Sequence, residues 1–272
     1  MFLEILKAIL MGIVEGITEW LPISSTGHMI ILDELVKLNV SDAFREMFLV
    51  VIQLGAILAV VVLYFKKLWP FSTKEKFFIK KDTFGMWFKI LAACIPAAIV
   101  GVFFDDKINE LFYNYQTVAA MLIIFGVLFI VIENYNKGRK PVMNSIAEIT
   151  WKAAIGVGLF QLIAAVFPGT SRSGATILGG ILLGMSRTTA AEFTFFLAVP
   201  VMAGASLLKL VKFGLAFSAS EAVILIVGMV VAFVVSIIVI KFLLNYIRRN
   251  DFKAFGWYRI VLGVLVILFF SL

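Results

Sequence analysis

The chain has 272 residues, of which 62% are hydrophobic and only 15% charged, where soluble domains carry about 25% charged and about 45–50% apolar residues. A single core of this size cannot absorb that much apolar surface, so an ordinary soluble fold is excluded and the excess is expected to face lipid. The formal charge of +7 is no sign of nucleic-acid binding, because the lysines and arginines cluster in short stretches between apolar segments, the pattern of membrane topology.

A helix needs about 20 mostly apolar residues to cross the hydrocarbon core. The first apolar region, 3–36, fails this test because Glu15, Glu19 and the run Leu21 to His28 interrupt it. With Glu4 and Lys7 also present and no small-residue cleavage site after it, the region is expected to stay in the mature chain. Clean spans follow at roughly 46–65, 86–104 and 116–134, the second holding the only cysteine, Cys94, which leaves no partner for an intramolecular disulfide. The region 150–187 is broken again, by Phe167 to Gly174, and three more spans follow at roughly 192–212, 221–244 and 257–272. Irregular backbone at membrane depth survives only where protein or water surrounds it. Both broken regions are therefore read as re-entrant helix–loop–helix hairpins, in a single all-α membrane domain spanning 1–272.

Loop charge orients the spans. The stretch 66–89 carries Lys66, Lys67, Lys74, Lys76, Lys80, Lys81 and Lys89 and is placed inside. Lys137, Arg139 and Lys140, then Arg187, then Arg248, Arg249 and Lys253 fall on the same side. Asp33, Glu34, Asp42 and Glu46, the acidic loop Asp105 to Glu110 and the base-free loop Gly214 to Ser220 fall outside.

A shift of about 146 residues aligns the two broken regions. Gly12 falls on Gly158, Glu15 on Gln161, Pro22 on Pro168, Ser25 on Ser171, Glu46 on Glu192, Ala59 on Ala205 and Lys66 on Lys212. The repeats are approximately 1–140 and 147–272, each one hairpin plus three spans. An odd number of crossings turns the second repeat upside down, so the hairpins enter from opposite faces and meet tip to tip, the inverted-repeat plan of many transporters.

The tips carry the chemistry. Glu15 and Glu19, four residues apart, share one helix face, and two carboxylates in apolar sequence suggest cation binding, proton sharing or general-base work; the alternative is that one caps a neighbouring helix. Ser24-Ser25-Thr26-Gly27-His28 precedes an apolar run, which is N-cap composition and equally the composition of an anion site at a helix N-terminus. His28 is the only histidine. In Pro168-Gly169-Thr170-Ser171-Arg172-Ser173-Gly174-Ala175-Thr176, an arginine at membrane depth demands an anionic partner, and its planar fork suits phosphate or carboxylate. The competing reading is a structural ion pair with Glu15 or Glu19. Gln53 and Glu192 are assigned to hydrogen bonding between helices, and Gly55, Gly126, Gly204 and Gly228 to close helix packing.

At these motifs the sequence closely resembles the undecaprenyl-diphosphatase, or bacitracin-resistance, family. The carboxylate pair leading into Ser-Ser-Thr-Gly-His runs from Glu15 to His28, and Pro-Gly-x-Ser-Arg-Ser-x-x-Thr runs unbroken from Pro168 to Thr176. The resemblance extends over essentially the whole chain, including Val51 to Gly55. It implies a phosphoric anhydride hydrolase of the bacterial inner membrane that converts undecaprenyl diphosphate to the monophosphate carrier of cell-wall synthesis, confers bacitracin resistance, and opens to the outer face. It implies a divalent cation, Mg2+ or Ca2+, with Glu15 and Glu19 as its ligands. Its catalytic set maps to Glu15, Glu19, Ser25, His28 and Arg172, and its phosphate-binding shell to Ser24, Thr26, Gly27, Gly169, Thr170, Ser171, Ser173 and Thr176. The partners implied are the polyprenyl diphosphate and membrane lipids, with no nucleic acid and no obligate protein partner.

Hydrolysis of a diphosphate needs charge neutralisation, a nucleophile and a proton-transfer group. Ser25 is the expected nucleophile with His28 and Glu19 handling protons, while His28 or water remain as other attacking groups. A transporter or flippase for an anionic lipid is the alternative, motivated by the broken helices; it would need charge compensation but no nucleophile. A scaffold would need neither.

Overall fold

The structure, a computed structural model, describes residues 1–73, 78–214 and 217–271. Lys74 and Lys76 of the expected inner loop, Leu215 and Ala216 of the expected outer loop and Leu272 lie outside the described residues. Among the described residues there are twelve α-helices and one 3-10 turn, Ile146–Glu148, with no strand beyond isolated bridging pairs. A short hairpin of α1 (Phe2–Thr18) and α2 (Ser25–Val36) comes first. Then α3 (Asp42–Val51) and α4 (Gln53–Leu63) continue one another across Ile52, and the single turn α5 (Phe65–Leu68) precedes α6 (Lys81–Phe112) and α7 (Tyr115–Tyr135). The second hairpin is α8 (Trp151–Val166) and α9 (Arg172–Leu182), followed by α10 (Arg187–Phe213), α11 (Ala219–Ile247) and α12 (Lys253–Ser271).

Six segments are long and apolar enough to cross a bilayer: Asp42–Leu63, Lys81–Phe112, Tyr115–Tyr135, Arg187–Phe213, Ala219–Ile247 and Lys253–Ser271. They coincide with the six spans expected from sequence. Their outward faces are uncovered: α6 exposes Phe88, Leu91, Ile95, Ile99 and Val102 at three- and four-residue spacing. Such an apolar stripe on a helix needs an apolar neighbour, and lipid supplies it. The protein is an all-α, multi-pass integral membrane protein.

One boundary differs. Asp105 to Glu110, expected as a loop, is helical, and the turn between α6 and α7 is only Tyr113 and Asn114. At about 1.5 Å per residue, α6 overshoots the hydrocarbon core. Its charged end persists as helix because Lys212 Nζ of α10 reaches Asp106 Oδ1 at 3.2 Å and Asp105 Oδ2 at 3.6 Å.

Polar contacts show which helix ends lie together. The feet of the first hairpin are tied by Lys7 Nζ donating to Lys37 O (2.7 Å) and Asn39 N donating to Glu4 Oε2 (2.8 Å). The segment before α8 is tied to the end of α9 by Val142 N donating to Gly184 O (2.9 Å) and Ser186 N to Met143 O (2.8 Å). Each broken region therefore turns back to the end it came from. At the lysine-rich end, Arg187 Nε and Nη2 chelate the buried carboxylate of Glu133, which also accepts from Phe252 N, and Lys67 Nζ pairs with Glu192. Three helices are thus pinned at one point.

Helix spacing is set by small residues. A Cβ on Gly55 would lie 2.0 Å from Met229 O, and one on Gly126 2.7 Å from Gly256 O. The expectation fails at Gly204, where a Cβ would meet nothing within 4 Å; an exposed helix face has room for any side chain.

Candidate active site

The two hairpin tips are built alike. In the first, Pro22 cannot donate a backbone hydrogen bond and biases Leu21 away from helix, so α1 ends and the chain turns through Ile23, whose N–H donates to Leu21 O at 2.7 Å. Ser24 then takes φ 76° and caps α2, its Oγ accepting from Gly27 N at 3.2 Å. In the second, Pro168 plays the same part, and Ser171 takes φ 68° and caps α9 by accepting from Gly174 N at 3.1 Å. One extra residue separates proline from cap here, Gly169 at φ +90°, where a Cβ would strike Val118 O at 2.5 Å. The cap of α9 therefore corresponds to Ser24, not to Ser25, and the first helical residues Ser25 and Arg172 correspond instead. Left-handed backbone at a non-glycine residue costs on the order of 1–3 kcal/mol and persists only where its surroundings enforce it. Two such serines at facing tips mark a constrained site.

Between the tips stands the carboxylate of Glu19, buried at the end of α1. Ser25 Oγ donates to Glu19 Oε2 at 2.9 Å, and Arg172 Nη2 donates to Glu19 Oε1 at 2.6 Å. The guanidinium is held in turn by Thr194 O at 3.0 Å and Met202 Sδ at 3.1 Å, and lies 5.7 Å from the centre of the Trp20 ring. Trp20 packs edge-on against Phe195 with ring centres 5.3 Å apart. An apolar floor of this kind strengthens every charge interaction above it. Glu15, one turn earlier on α1 and equally buried, is an electrostatic neighbour of Glu19 and Arg172. Its Oε1 has no hydrogen-bond partner. The amides of Ser25 and Thr26, and of Arg172 and Ser173, belong to first helical turns that have no acceptor of their own, so both N-termini present donors and positive dipole ends at the tips.

Glu15, Glu19, Ser25 and Arg172 are thus brought together. His28 is not in that cluster: one turn along α2, its Nδ1 lies 2.7 Å from Ser24 O and its Nε2 2.7 Å from the Tyr258 hydroxyl. The residues expected to form a phosphate shell divide by their contacts. The hydroxyls of Ser24 and Ser171 cap their helices, and Gly27 supplies the capping N–H. Ser173 Oγ lies 3.1 Å from Ser171 Oγ and 3.4 Å from Leu21 O, linking the tips. Thr176 is fully buried, donating to Arg172 O (2.8 Å) and accepting from Thr194 Oγ1 (2.8 Å), so its hydroxyl ties α9 to α10. Gly169 and Thr170 turn their carbonyls to an arginine and the Thr170 Oγ1 is buried without a partner. Thr26 is half-buried at the α2 N-terminus.

That arginine is Arg259 of α12, fully buried. Its Nη1 donates to Pro22 O (3.3 Å) and its Nη2 to Gly169 O (3.0 Å) and Thr170 O (2.7 Å), so one guanidinium grips both tips. Sequence reasoning missed Arg259 and Tyr258 alike. The signal was present: an arginine three residues into the apolar stretch 257–272 obeys the same cost rule that singled out Arg172.

No three potential ligands from His, Cys, Asp and Glu converge among the described residues. Mg2+, however, is commonly held by one or two carboxylates together with substrate phosphate oxygens. Glu15, with its unpartnered buried oxygen beside Glu19, fits that donor set.

A family model described as bacitracin resistance protein BacA matches residues 8–265. The chain is 69% identical over 268 residues to the undecaprenyl-diphosphatase of Desulfitobacterium hafniense, covering 98% of this chain and 96% of that protein. It is 67% identical over 268 residues to undecaprenyl-diphosphatase 1 of Clostridium acetobutylicum, covering 98% of each. With the undecaprenyl-diphosphatase of Enterococcus faecalis it shares 60% identity over 269 residues, covering 98% and 97%. Similarity of this extent, over a site with carboxylates, serine and arginine in place, makes the chain a member of the BacA family of bacitracin resistance proteins.

Proposed function

We propose that the protein hydrolyses undecaprenyl diphosphate to undecaprenyl phosphate and inorganic phosphate, recycling a lipid carrier of cell-wall synthesis and conferring bacitracin resistance. The observation that carries the mechanism is the sharing of Glu19 between Ser25 Oγ and Arg172 Nη2. A hydroxyl donating to a buried carboxylate is a nucleophile with its base in place, and an arginine on that carboxylate is charge that an arriving phosphate can claim.

In this reading the terminal phosphate displaces Glu19 from Arg172 and settles against the guanidinium and the free amides of α2 and α9. Ser25 Oγ attacks the terminal phosphorus while its proton passes to Glu19. The bond to the bridging oxygen breaks, and undecaprenyl phosphate leaves with that oxygen. Water then attacks the phosphoserine, the proton held on Glu19 returns to Ser25 Oγ as its bond to phosphorus breaks, and inorganic phosphate leaves carrying the water's oxygen and protons. Glu15 and Glu19 would hold a divalent cation, which supplies neutralisation of phosphate charge. His28 is a poorer candidate for attack, because both its nitrogens are engaged.

The prenyl tail needs no cavity; it can lie along the apolar outer faces of the helices. A transporter would use charge compensation but has no need of a serine poised on a carboxylate, so the hydrolase is the better reading. Positive charge at Lys66, Lys67, Lys80, Lys81 and Lys89 supports a cytoplasmic position for that end, in a bacterial inner membrane with the site open to the outer face. The packing supports two inverted repeats: α1 lies along α11, its counterpart α8 lies along α6, and α7 pairs with α12.

Phosphate release from undecaprenyl diphosphate by detergent-purified protein, beside Arg172→Ala, tests the reading. Release that disappears in the variant supports it. Transbilayer movement of the lipid without phosphate release would overturn it.

A further inference from the structure

We propose that Tyr258 is a positioning residue for Ser25, acting through His28 and the backbone of Ser24. The inference rests on the phosphatase reading above and adds to it a chain of hydrogen bonds that reaches the nucleophile from the far end of the sequence.

A carbonyl oxygen can only accept, so the 2.7 Å contact between His28 Nδ1 and Ser24 O fixes the proton on Nδ1. In the neutral imidazole Nε2 is then an acceptor, and the Tyr258 hydroxyl, 2.7 Å away, is its donor. The two rings also lie nearly parallel, 11° apart with centres 5.6 Å apart. Tyr258 is itself held in register, because the next residue, Arg259, is fully buried and grips Pro22 O, Gly169 O and Thr170 O.

The chain therefore runs from the Tyr258 O–H to Nε2, from Nδ1–H to Ser24 O, and through Ser24 to Ser25. Ser24 sits at φ 76°, a conformation that its neighbours must enforce. Its hydroxyl is held by Gly27 N and its carbonyl by His28 Nδ1. Loss of the phenol leaves Nε2 without its donor and the imidazole without a tether at that end, so the ring can turn and carry Nδ1–H away from the Ser24 carbonyl. Without that donor the cap would relax and move Ser25 off the line between Glu19 and the phosphorus.

Because His28 is the only histidine, 15N-histidine labelling gives one imidazole signature from the whole protein. In the wild type it should read as a single Nδ1–H tautomer with a hydrogen-bonded Nε2. Tyr258→Phe keeps the ring and its stacking, so thermal stability should hold, while the Nε2 resonance moves toward an unbonded imine nitrogen. With undecaprenyl diphosphate as substrate, kcat should fall about tenfold with KM within about twofold, the worth of one hydrogen bond felt in the transition state. In a His28→Gln background the same change should cost nothing further.

An unchanged histidine spectrum in Tyr258→Phe, an unchanged kcat, or a tenfold loss that persists without His28 would each overturn the proposal. The spectrum needs no turnover. A wild type that shows the tautomer and releases no phosphate would therefore remove the phosphatase reading while leaving the Tyr258–His28 link in place.

Discussion

Ser25 and Arg172 occupy equivalent places, each the first helical residue after a left-handed serine cap, and both donate to one carboxylate, that of Glu19, at 2.9 and 2.6 Å. Two backbone turns of the same design thus deliver different side chains to one point, a hydroxyl from one hairpin and a guanidinium from the other.

Removal of the proposed nucleophile is the sharpest probe. Ser25→Ala should lower phosphate release by about 10³-fold or more, and Glu19→Gln by a similar factor, because the two act as a unit. Steady-state release from undecaprenyl diphosphate measures both. A Ser25→Ala enzyme within about tenfold of wild type would transfer the attack to water.

Arg172→Ala should cost about 10²–10³-fold in kcat, the usual worth of a transition-state charge partner. Arg172→Lys should recover only part of it, since a lysine keeps the charge but cannot hold Thr194 O and an anion with one planar fork. Equal activity of the lysine and arginine enzymes would show that the geometry of the fork is irrelevant.

Chelation with EDTA should abolish phosphate release, and Mg2+ or Ca2+ should restore it. Glu15→Gln should then raise the cation concentration needed for half-activity by about 10-fold or more. A titration in which the variant and wild type coincide would remove Glu15 from the proposed cation site.

Arg259→Met should destabilise the protein as well as inactivate it. Tip carbonyls of Pro22, Gly169 and Thr170 would lose their donor in a buried place, at about 1–3 kcal/mol for each unsatisfied group. Thermal unfolding in detergent should fall by about 5 °C or more, whereas Ser25→Ala should leave it unchanged. A shift confined to activity would mean that the tips hold their form without Arg259.

Gly55→Val tests the helix spacing. With a Cβ 2.0 Å from Met229 O, backbone must move, and the yield of folded, monodisperse protein should collapse. Gly204→Val, where nothing lies within 4 Å, should express and fold as the wild type does.

Much of the fold was legible because each signal is local. A span of about 20 apolar residues has one stable arrangement in lipid, and so the six crossings can be read from composition alone. Ser24, Ser171 and the prolines beside them mark the tips by turn and capping chemistry that depends on immediate neighbours. Asp105 to Glu110, a loop by its local charge, is helix in the fold, where Lys209 and Lys212 from a distant segment pair with its aspartates.

The sequence by itself determined the residue types of the site: a membrane-buried arginine and two membrane-buried carboxylates are too costly to be idle. Only the tertiary structure decided their partners. Whether Arg172 faces Glu15 or Glu19, that Ser25 rather than His28 touches the carboxylate, that Thr176 serves packing, and that Arg259 and Tyr258 reach the tips from α12 all depend on distances between segments up to 237 positions apart. Hydrogen bonds act over about 3 Å of space whatever the separation along the chain, and one extra residue at Gly169 is enough to exchange which side chain stands at the start of a helix.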